Sequence, residues 1–193
     1  MQSGRASGAG TAYGRVWTLP NVLTIFRILL TPVFILLFLQ GGYWWALSIF
    51  TVAALTDGLD GFIAKRYAQI SRLGEVLDPL ADKALVVTSF LCLAARGFIP
   101  LWLAVMVITR DLIIVGGLFL VHFAGVDLSN RIHPTWISKC NTAAQLTLVV
   151  LVLVRVAGRT TFGWEGALEI LVAVLTCLSC FQYVLKGVCL LRK

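Results

Sequence analysis

The chain is built from apolar runs of about 20 residues, separated by short breaks that contain glycine or proline. A helix of about 20 apolar residues is long enough to cross the hydrocarbon core of a bilayer. The runs therefore predict an all-α integral membrane protein. Six spans are expected, at residues 22–40, 43–64, 76–95, 99–123, 136–157 and 166–189.

Composition supports this fold class. Of 193 residues, 59% are hydrophobic and only 13% are charged, whereas a soluble domain has about 25% charged residues. So few charges cannot cover a water-facing surface, which argues against an ordinary soluble domain, a disordered chain and a nucleic-acid-binding module. We expect residues 1–16 to be a flexible cytoplasmic tail and residues 17–193 to form a single six-helix transmembrane domain.

The distribution of basic residues predicts the orientation of the spans. Ten of the 16 Lys and Arg residues lie in the tail, the 2–3 and 4–5 connections and the C-terminal segment. Only three, Arg96, Arg155 and Arg159, lie in the connections on the opposite side. Because basic loops stay in the cytoplasm, both termini are predicted to be cytoplasmic, in a multi-pass protein of the cell (inner) membrane.

Five of the nine acidic residues fall in one window around the second connection, which reads TDGLDGFIAKRYAQISRLGEVLDPLADK from Thr56 to Lys83. Helical spacing places Asp57 and Asp60 on one face of span 2, and Asp78 and Asp82 on one face of span 3. If the two spans are antiparallel neighbours, four carboxylates converge, and such clusters suit Mg²⁺ or Mn²⁺ together with substrate phosphates. The alternative is a solvated belt of ion pairs with the basic residues nearby.

This window resembles the signature of the CDP-alcohol phosphotransferase family, D-x2-D-G-x2-A-R-x8-G-x3-D-x3-D. The motif positions are occupied by Asp57, Asp60, Gly61, Ala64, Gly74, Asp78 and Asp82 with every spacing intact. The one departure is Lys65, where the family usually has Arg; lysine keeps the charge but lacks the planar fork of the guanidinium. The segment PNVLTIFR at the start of span 1 and the segment LDPLADK extend the resemblance along the chain.

The resemblance implies a phosphatidyltransferase that moves the phosphatidyl group of CDP-diacylglycerol to an alcohol and releases CMP. One or two divalent cations (Mg²⁺ or Mn²⁺) would be held by Asp57, Asp60 and Asp78, with Asp82 completing the cluster and acting as general base. The donor would lie against Gly61, Ala64 and Gly74, with Lys65 near its phosphates. A homodimer is also expected from the family.

The acceptor is left open between two branches of the family. LDPLADK points to the glycerol-acceptor branches, and glycerol 3-phosphate is slightly favoured because phosphatidylglycerophosphate synthases are the commoner bacterial members. PTWISKCNTAAQ and the Arg110-Asp111 pair resemble the cardiolipin synthase branch, whose acceptor is phosphatidylglycerol.

Four charged residues are candidates for the acceptor pocket. Arg110 and Asp111 lie within span 4, and the alternative for them is a self-neutralising buried pair. Arg131 and Lys139 flank the entry to span 5, where they could bind an anionic substrate or simply anchor the chain at the cytoplasmic surface. Arg27 in span 1 could reach substrate phosphates or snorkel to the headgroups.

Two readings from other classes remain. An ion-coupled transporter also carries acidic residues within its spans, but here the acids cluster at one membrane edge and no repeat of transporter type is visible. A non-catalytic membrane scaffold would not need the spacing of the four aspartates. Release of CMP that depends on CDP-diacylglycerol distinguishes the enzyme from both.

Overall fold

A computed structural model describes residues 19–67, 72–123, 136–160 and 163–191, with side chains described at 25–56, 83–117, 136–160, 163–183 and 185. The described residues form six α-helices and contain no strand. These helices are α1 (Leu19–Leu39), α2 (Tyr43–Tyr67), α3 (Arg72–Ala95), α4 (Leu101–Phe123), α5 (Trp136–Gly158) and α6 (Glu165–Leu191). Each coincides with one predicted span, and the ends differ by at most four residues. The all-helical prediction is confirmed, whereas the predicted tail, 1–16, lies outside the described residues.

Within the described part of the chain, Trp136–Gly158 and Glu165–Tyr183 are long and apolar enough to cross a membrane by themselves. Shorter apolar stretches lie among the described side chains of α1, α2 and α3, at Ile25–Leu39, Tyr43–Thr56 and Lys83–Ala95. The four signature aspartates lie between the last two of these stretches.

Tight turns join α1 to α2 and α3 to α4, and each turn contains a glycine with a positive φ angle. Gly41 and Gly97 have φ angles of 80° and 71°, values that an L side chain adopts only with strain. At the second turn the amide of Gly97 donates to the carbonyl of Ala94, and the amide of Phe98 donates to that of Leu93, each at 2.9 Å. This is the Schellman arrangement, which satisfies the last carbonyls of a helix and reverses the chain.

The described parts of three connections meet at one end of the helix bundle, which we call the turn end (residues 40–42, 96–100, 159–160 and 163–164). Arg96 in the connection between α3 and α4 donates from Nη2 to the carbonyl oxygen of Leu39 in α1 at 2.6 Å. Arg155 in α5 donates from Nη2 to the carbonyl oxygen of Phe98 at 2.8 Å. Consecutive helices therefore run antiparallel across these connections. At the opposite end, the motif end, α2, α4 and α6 finish and α1, α3 and α5 begin.

Helix packing follows a closed ring, in the order α1, α2, α5, α6, α4, α3 and back to α1, with α3 also contacting α5 across the middle. The buried core of the described residues changes character along the bundle. Towards the turn end it is apolar and includes Phe34, Phe38, Phe50 and Phe90, all fully buried. From the middle towards the motif end it becomes polar. The buried polar side chains there are Arg27, Arg110, Asp111, Asn141, Gln145, Thr176 and Ser179.

The outer surface of the bundle is apolar. Large exposed aliphatic and aromatic side chains occur on every helix, among them Leu29, Leu36, Leu55, Leu91, Leu101, Leu112, Trp136, Ile170 and Phe181. Exposed tryptophans stand near the helix starts at the turn end: Trp44, Trp45, Trp102 and Trp164. Trp136 begins α5 at the motif end and is 81% exposed.

Candidate active site

The signature residues lie on α2 and α3, in the halves of these helices that are nearer the motif end. Asp57 and Asp60 belong to the C-terminal part of α2, and Asp78 and Asp82 belong to the N-terminal part of α3. Both helices pack against α1 and α5. The side chains of residues 57–82 lie outside the described part, so the metal ligands and the donor-binding residues Gly61, Ala64, Lys65 and Gly74 stay predictions.

At the end of this window, the described side chains form a largely buried charge cluster at the contact between α3 and α4. Lys83, the residue after Asp82, donates from Nζ to Oδ1 of Asp111 at 2.9 Å. Arg110 donates from Nη1 to the same oxygen at 2.7 Å. The side chains of Arg110 and Asp111 are each 2% exposed and that of Lys83 is 24% exposed. We call Lys83, Arg110 and Asp111 the charge cluster. With two cations and one carboxylate, it carries one net positive charge.

Arg110 connects the charge cluster to two further helices. Its Nη2 donates to Oγ of Ser138 at 2.7 Å and to Oγ of Ser179 at 2.6 Å. Its Nε also donates to Ser179, at 3.2 Å. Each guanidinium nitrogen therefore has a described acceptor, as a buried arginine requires. This cation ties α4 to the first turn of α5 and to the second half of α6.

A polar seam continues from these serines along the contact between α5 and α6. Thr176 on α6 donates from Oγ1 to Oδ1 of Asn141 on α5 at 3.1 Å, and both residues are fully buried. Gln145 follows one turn further along α5 and is also fully buried. Among the described residues, neither polar atom of the Gln145 amide, nor Nδ2 of Asn141, has a hydrogen-bond partner. Leaving a buried polar group without a partner costs free energy. These atoms give the middle of the bundle hydrogen-bonding capacity that the described residues do not use.

The structure places the predicted acceptor residues in different surroundings. Arg110 and Asp111 are buried and bonded to each other. Lys139 is exposed on the first turn of α5, with Nζ 5.4 Å from the ring centroid of Trp136. Arg131 lies outside the described residues. Arg27 is buried, 3% exposed, so its side chain runs inside the bundle rather than out to the surface.

Several members of this region were not identified as site residues from the sequence. Ser138 and Ser179 were missed because a single serine in an apolar helix has no distinctive pattern. The buried amides of Asn141 and Gln145 offered a better signal, since two amide side chains four residues apart share one helix face. That spacing marks a polar stripe, and only the tertiary structure shows that it faces α6 rather than lipid or water.

Comparison with known proteins identifies the family. The family model described as CDP-alcohol phosphatidyltransferase matches residues 17–180, which includes both signature-bearing helices and the charge cluster. The chain belongs to the CDP-alcohol phosphatidyltransferase family.

Similar members of the family carry two different names. A cardiolipin synthase (CMP-forming) of Rattus norvegicus is 42% identical over 159 residues, covering 75% of this chain and 52% of the relative. The Homo sapiens protein of the same name is 40% identical, covering 71% of this chain and 50% of the relative. The chain thus spans about half the length of these relatives. A CDP-diacylglycerol--glycerol-3-phosphate 3-phosphatidyltransferase of Blochmanniella floridana is 34% identical over 182 residues, covering 91% and 93% of the two chains.

Proposed function

We propose that this protein transfers the phosphatidyl group of CDP-diacylglycerol to a glycerol-type alcohol in the synthesis of anionic phospholipids. The observation that carries the proposal is the intact spacing of the aspartate signature on α2 and α3, within a family match that covers residues 17–180. In this reaction the acceptor oxygen bonds to the β-phosphorus, the pyrophosphate P–O bond breaks, and CMP leaves.

Each aspartate of the signature has a proposed role. Asp57, Asp60 and Asp78 would hold Mg²⁺ or Mn²⁺, a hard cation that oxygen ligands of this kind suit, and Asp82 would complete the set. Held there, such a cation would supply neutralisation of the pyrophosphate charge, which together with positioning is what phosphoryl transfer requires. Asp82 takes the proton from the acceptor hydroxyl as the new bond forms.

The donor is assigned to the remaining signature positions. Gly61 and Ala64 on α2 and Gly74 on α3 have small or absent side chains, which lets a nucleotide approach the helix backbones. Lys65 would contribute its charge to the donor phosphates, as a point charge rather than as a planar fork.

The acceptor side is assigned to Arg110, Asp111, Arg131 and Lys139. Arg110 and Asp111 are buried and bonded within the charge cluster. They would therefore act on the acceptor through the net positive charge of that cluster. Glycerol 3-phosphate and phosphatidylglycerol are both anionic, so this charge suits either one. We favour glycerol 3-phosphate. The CDP-diacylglycerol--glycerol-3-phosphate 3-phosphatidyltransferase of Blochmanniella floridana aligns with this chain over nearly its whole length. Phosphatidylglycerol is the alternative, which the identity to the cardiolipin synthases supports.

We also propose that all six helices cross the inner membrane, with the motif end and both termini in the cytoplasm. The helices have 21 to 27 residues, about 32 to 40 Å at 1.5 Å per residue, and a bilayer core is about 30 Å thick. Exposed tryptophans near the helix starts at the turn end, and Trp136 at the motif end, occupy the positions of interfacial aromatic belts. Arg96, Arg155 and Arg159 lie at the turn end, where fewer basic residues are expected. A homodimer remains an expectation from the family resemblance.

The direct test is an assay of the purified protein in detergent or vesicles with CDP-diacylglycerol and Mg²⁺ or Mn²⁺. We expect CMP release that requires the donor and an added acceptor, with glycerol 3-phosphate giving the higher kcat/KM. A higher kcat/KM with phosphatidylglycerol would reassign the protein to the cardiolipin synthase branch. Absence of donor-dependent CMP release with either acceptor would overturn the enzyme proposal and leave a transporter or scaffold.

A further inference from the structure

The charge cluster joins the helix that carries Asp78 and Asp82 to the rest of the bundle. One oxygen of Asp111 accepts from Lys83 on α3 and from Arg110 on α4, at 2.9 and 2.7 Å. Arg110 is in turn bonded to Ser138 on α5 and Ser179 on α6. A single hydrogen-bonded chain therefore runs from α3 through α4 to both α5 and α6.

Lys83 directly follows Asp82 in α3, so this series of hydrogen bonds also bears on the orientation of the signature. Successive residues of a helix differ by about 100° around its axis. A bond from the Lys83 ammonium to a fixed point on α4 therefore restricts the rotation of α3 at that level. It thereby also restricts the direction in which the preceding residue, Asp82, leaves the helix. A small misplacement of a reacting group can cost about 10²-fold in rate.

We infer that Asp111 is a positioning residue, which acts through Lys83 to hold the aspartate-bearing part of α3 in its catalytic orientation. This inference rests on the proposed function, because it concerns the rate of that reaction. Arg110 is suited to support Asp111, since its planar guanidinium is bonded on each of its nitrogens, which holds in place the group that donates to Oδ1 of Asp111.

Stability alone is a weak explanation of the charge cluster. Two cations around one carboxylate leave a net charge in a largely buried place, and taking charges out of water costs free energy that a pair often does not recover. Lys83 is the most exposed of the three residues, and its ammonium could be hydrated outside the bundle. Instead it points inward to Asp111, which ties its conformation to α4.

The test compares Asp111→Asn, Lys83→Met and the double variant in the full-length protein. We expect each single variant to lower kcat by about 10²-fold while changing the KM for CDP-diacylglycerol less than threefold. If Asp111 acts through Lys83, the double variant loses about as much as either single variant. Independent effects would multiply, to about 10⁴-fold. Lys83→Arg, which keeps the charge and can reach the carboxylate, should recover most of the rate.

The acceptor KM separates positioning from a simple effect of charge. Asp111→Asn makes the charge cluster more positive and Lys83→Met makes it less positive. A purely electrostatic role would therefore move the KM of an anionic acceptor in opposite directions in the two variants and leave kcat in place. Such a result would overturn the positioning role, whereas a fall of kcat in both variants supports it.

The control is an ion pair of the same chemistry at the turn end, between Arg155 and Glu165. Glu165→Gln should lower Tm and leave kcat unchanged. If Asp111→Asn fails to fold, Lys83→Met still tests the inference, because the larger exposure of Lys83 makes its replacement easier to accommodate. A Lys83→Met protein with normal kcat, or a double variant that loses 10⁴-fold, would overturn the inference while an active wild type keeps the proposed function. An inactive wild type would overturn both.

Discussion

Lys83 and Asp82 are neighbours in the chain, yet they belong to different parts of the proposed mechanism. Lys83 is bonded across the helix contact to Asp111, while Asp82 closes the aspartate signature. Adjacent helix residues point about 100° apart, so one of them can anchor the helix while the other works in the site. The signature aspartates are also proposed to differ from one another, with Asp82 as the general base and Asp78 as a metal ligand.

The first prediction separates the general base from the metal ligands. Asp82→Asn keeps the size of the side chain and one oxygen but cannot accept a proton, so the single-turnover rate should fall by about 10²–10⁴-fold. Binding of CDP-diacylglycerol should survive, because three carboxylates remain to hold the cation. Titration of donor binding beside single-turnover measurements checks this.

Asp78→Asn serves as the matched comparison on the same helix. It removes a proposed metal ligand, so transfer should be abolished and the dependence on Mg²⁺ or Mn²⁺ weakened. Normal transfer by Asp78→Asn would contradict the metal assignment. Loss of donor binding in Asp82→Asn would show instead that Asp82 is an indispensable ligand rather than the base.

A second residue-scale prediction concerns Lys65, which stands where the family usually has arginine. If its charge contacts the donor phosphates, Lys65→Ala should raise the KM for CDP-diacylglycerol, and Lys65→Arg should be tolerated. Steady-state kinetics with varied donor at saturating acceptor measures both variants. An unchanged donor KM in Lys65→Ala would mean that Lys65 is only a charge at the membrane edge.

At the scale of elements, the helices are delimited by turns whose geometry depends on glycine. Gly97 ends α3 with a positive φ angle of 71°, and its conformation allows the two Schellman hydrogen bonds at the turn end. An added Cβ at Gly97 would meet no atom within 4 Å, so steric space does not limit substitution there. The cost of replacing it comes from the backbone conformation alone.

Replacing glycine by alanine should have opposite effects on stability at Gly97 and at Gly116. Gly97→Ala should destabilise the protein by about 1–2 kcal/mol, the cost of the left-handed conformation for an L residue. Gly116→Ala, inside α4, should stabilise it by about 0.5–1 kcal/mol, because alanine loses less conformational freedom in a helix. Gly116 also has no atom within 4 Å of an added Cβ. Thermal unfolding of the two variants in the same detergent provides the measurement, and equal shifts would contradict the backbone explanation.

At the scale of the whole molecule, the bundle has one end closed by short turns and another that carries the signature. Its buried core changes from phenylalanines towards the turn end to charged and amide side chains from the middle onward. A polar interior that begins halfway along the bundle suits a site that opens to one side of the membrane, because polar groups within a bilayer are tolerated where they face the protein interior.

The proposed orientation predicts which end a membrane-impermeant reagent reaches. Thr160 is exposed in the turn after α5, and Lys139 is exposed on the first turn of α5. In intact cells a charged maleimide should label Thr160→Cys, whereas Lys139→Cys should be labelled only after the membrane is permeabilised. The parent protein gives the background from its own cysteines. The reverse pattern would place the motif end outside and contradict the orientation.

Local properties of the sequence account for the helices and for the family signature. Apolar runs predicted six helices to within four residues, because helix length and hydropathy depend on residues close in the chain. The aspartates were recognised by their spacing for the same reason. The sequence also raised the buried-pair alternative for Arg110 and Asp111, but it could not decide where that pair lies or what else binds it.

Only the tertiary structure decided the partners of that pair. Lys83 is separated from Asp111 by 28 residues, and Arg110 is separated from Ser179 by 69. Such contacts depend on which helices are neighbours and on how each is rotated, and neither is encoded in a local pattern. The ring order places α4 beside α3 and α6. A buried guanidinium must find acceptors within reach of its own nitrogens, and here it finds them on its own helix and on both α5 and α6.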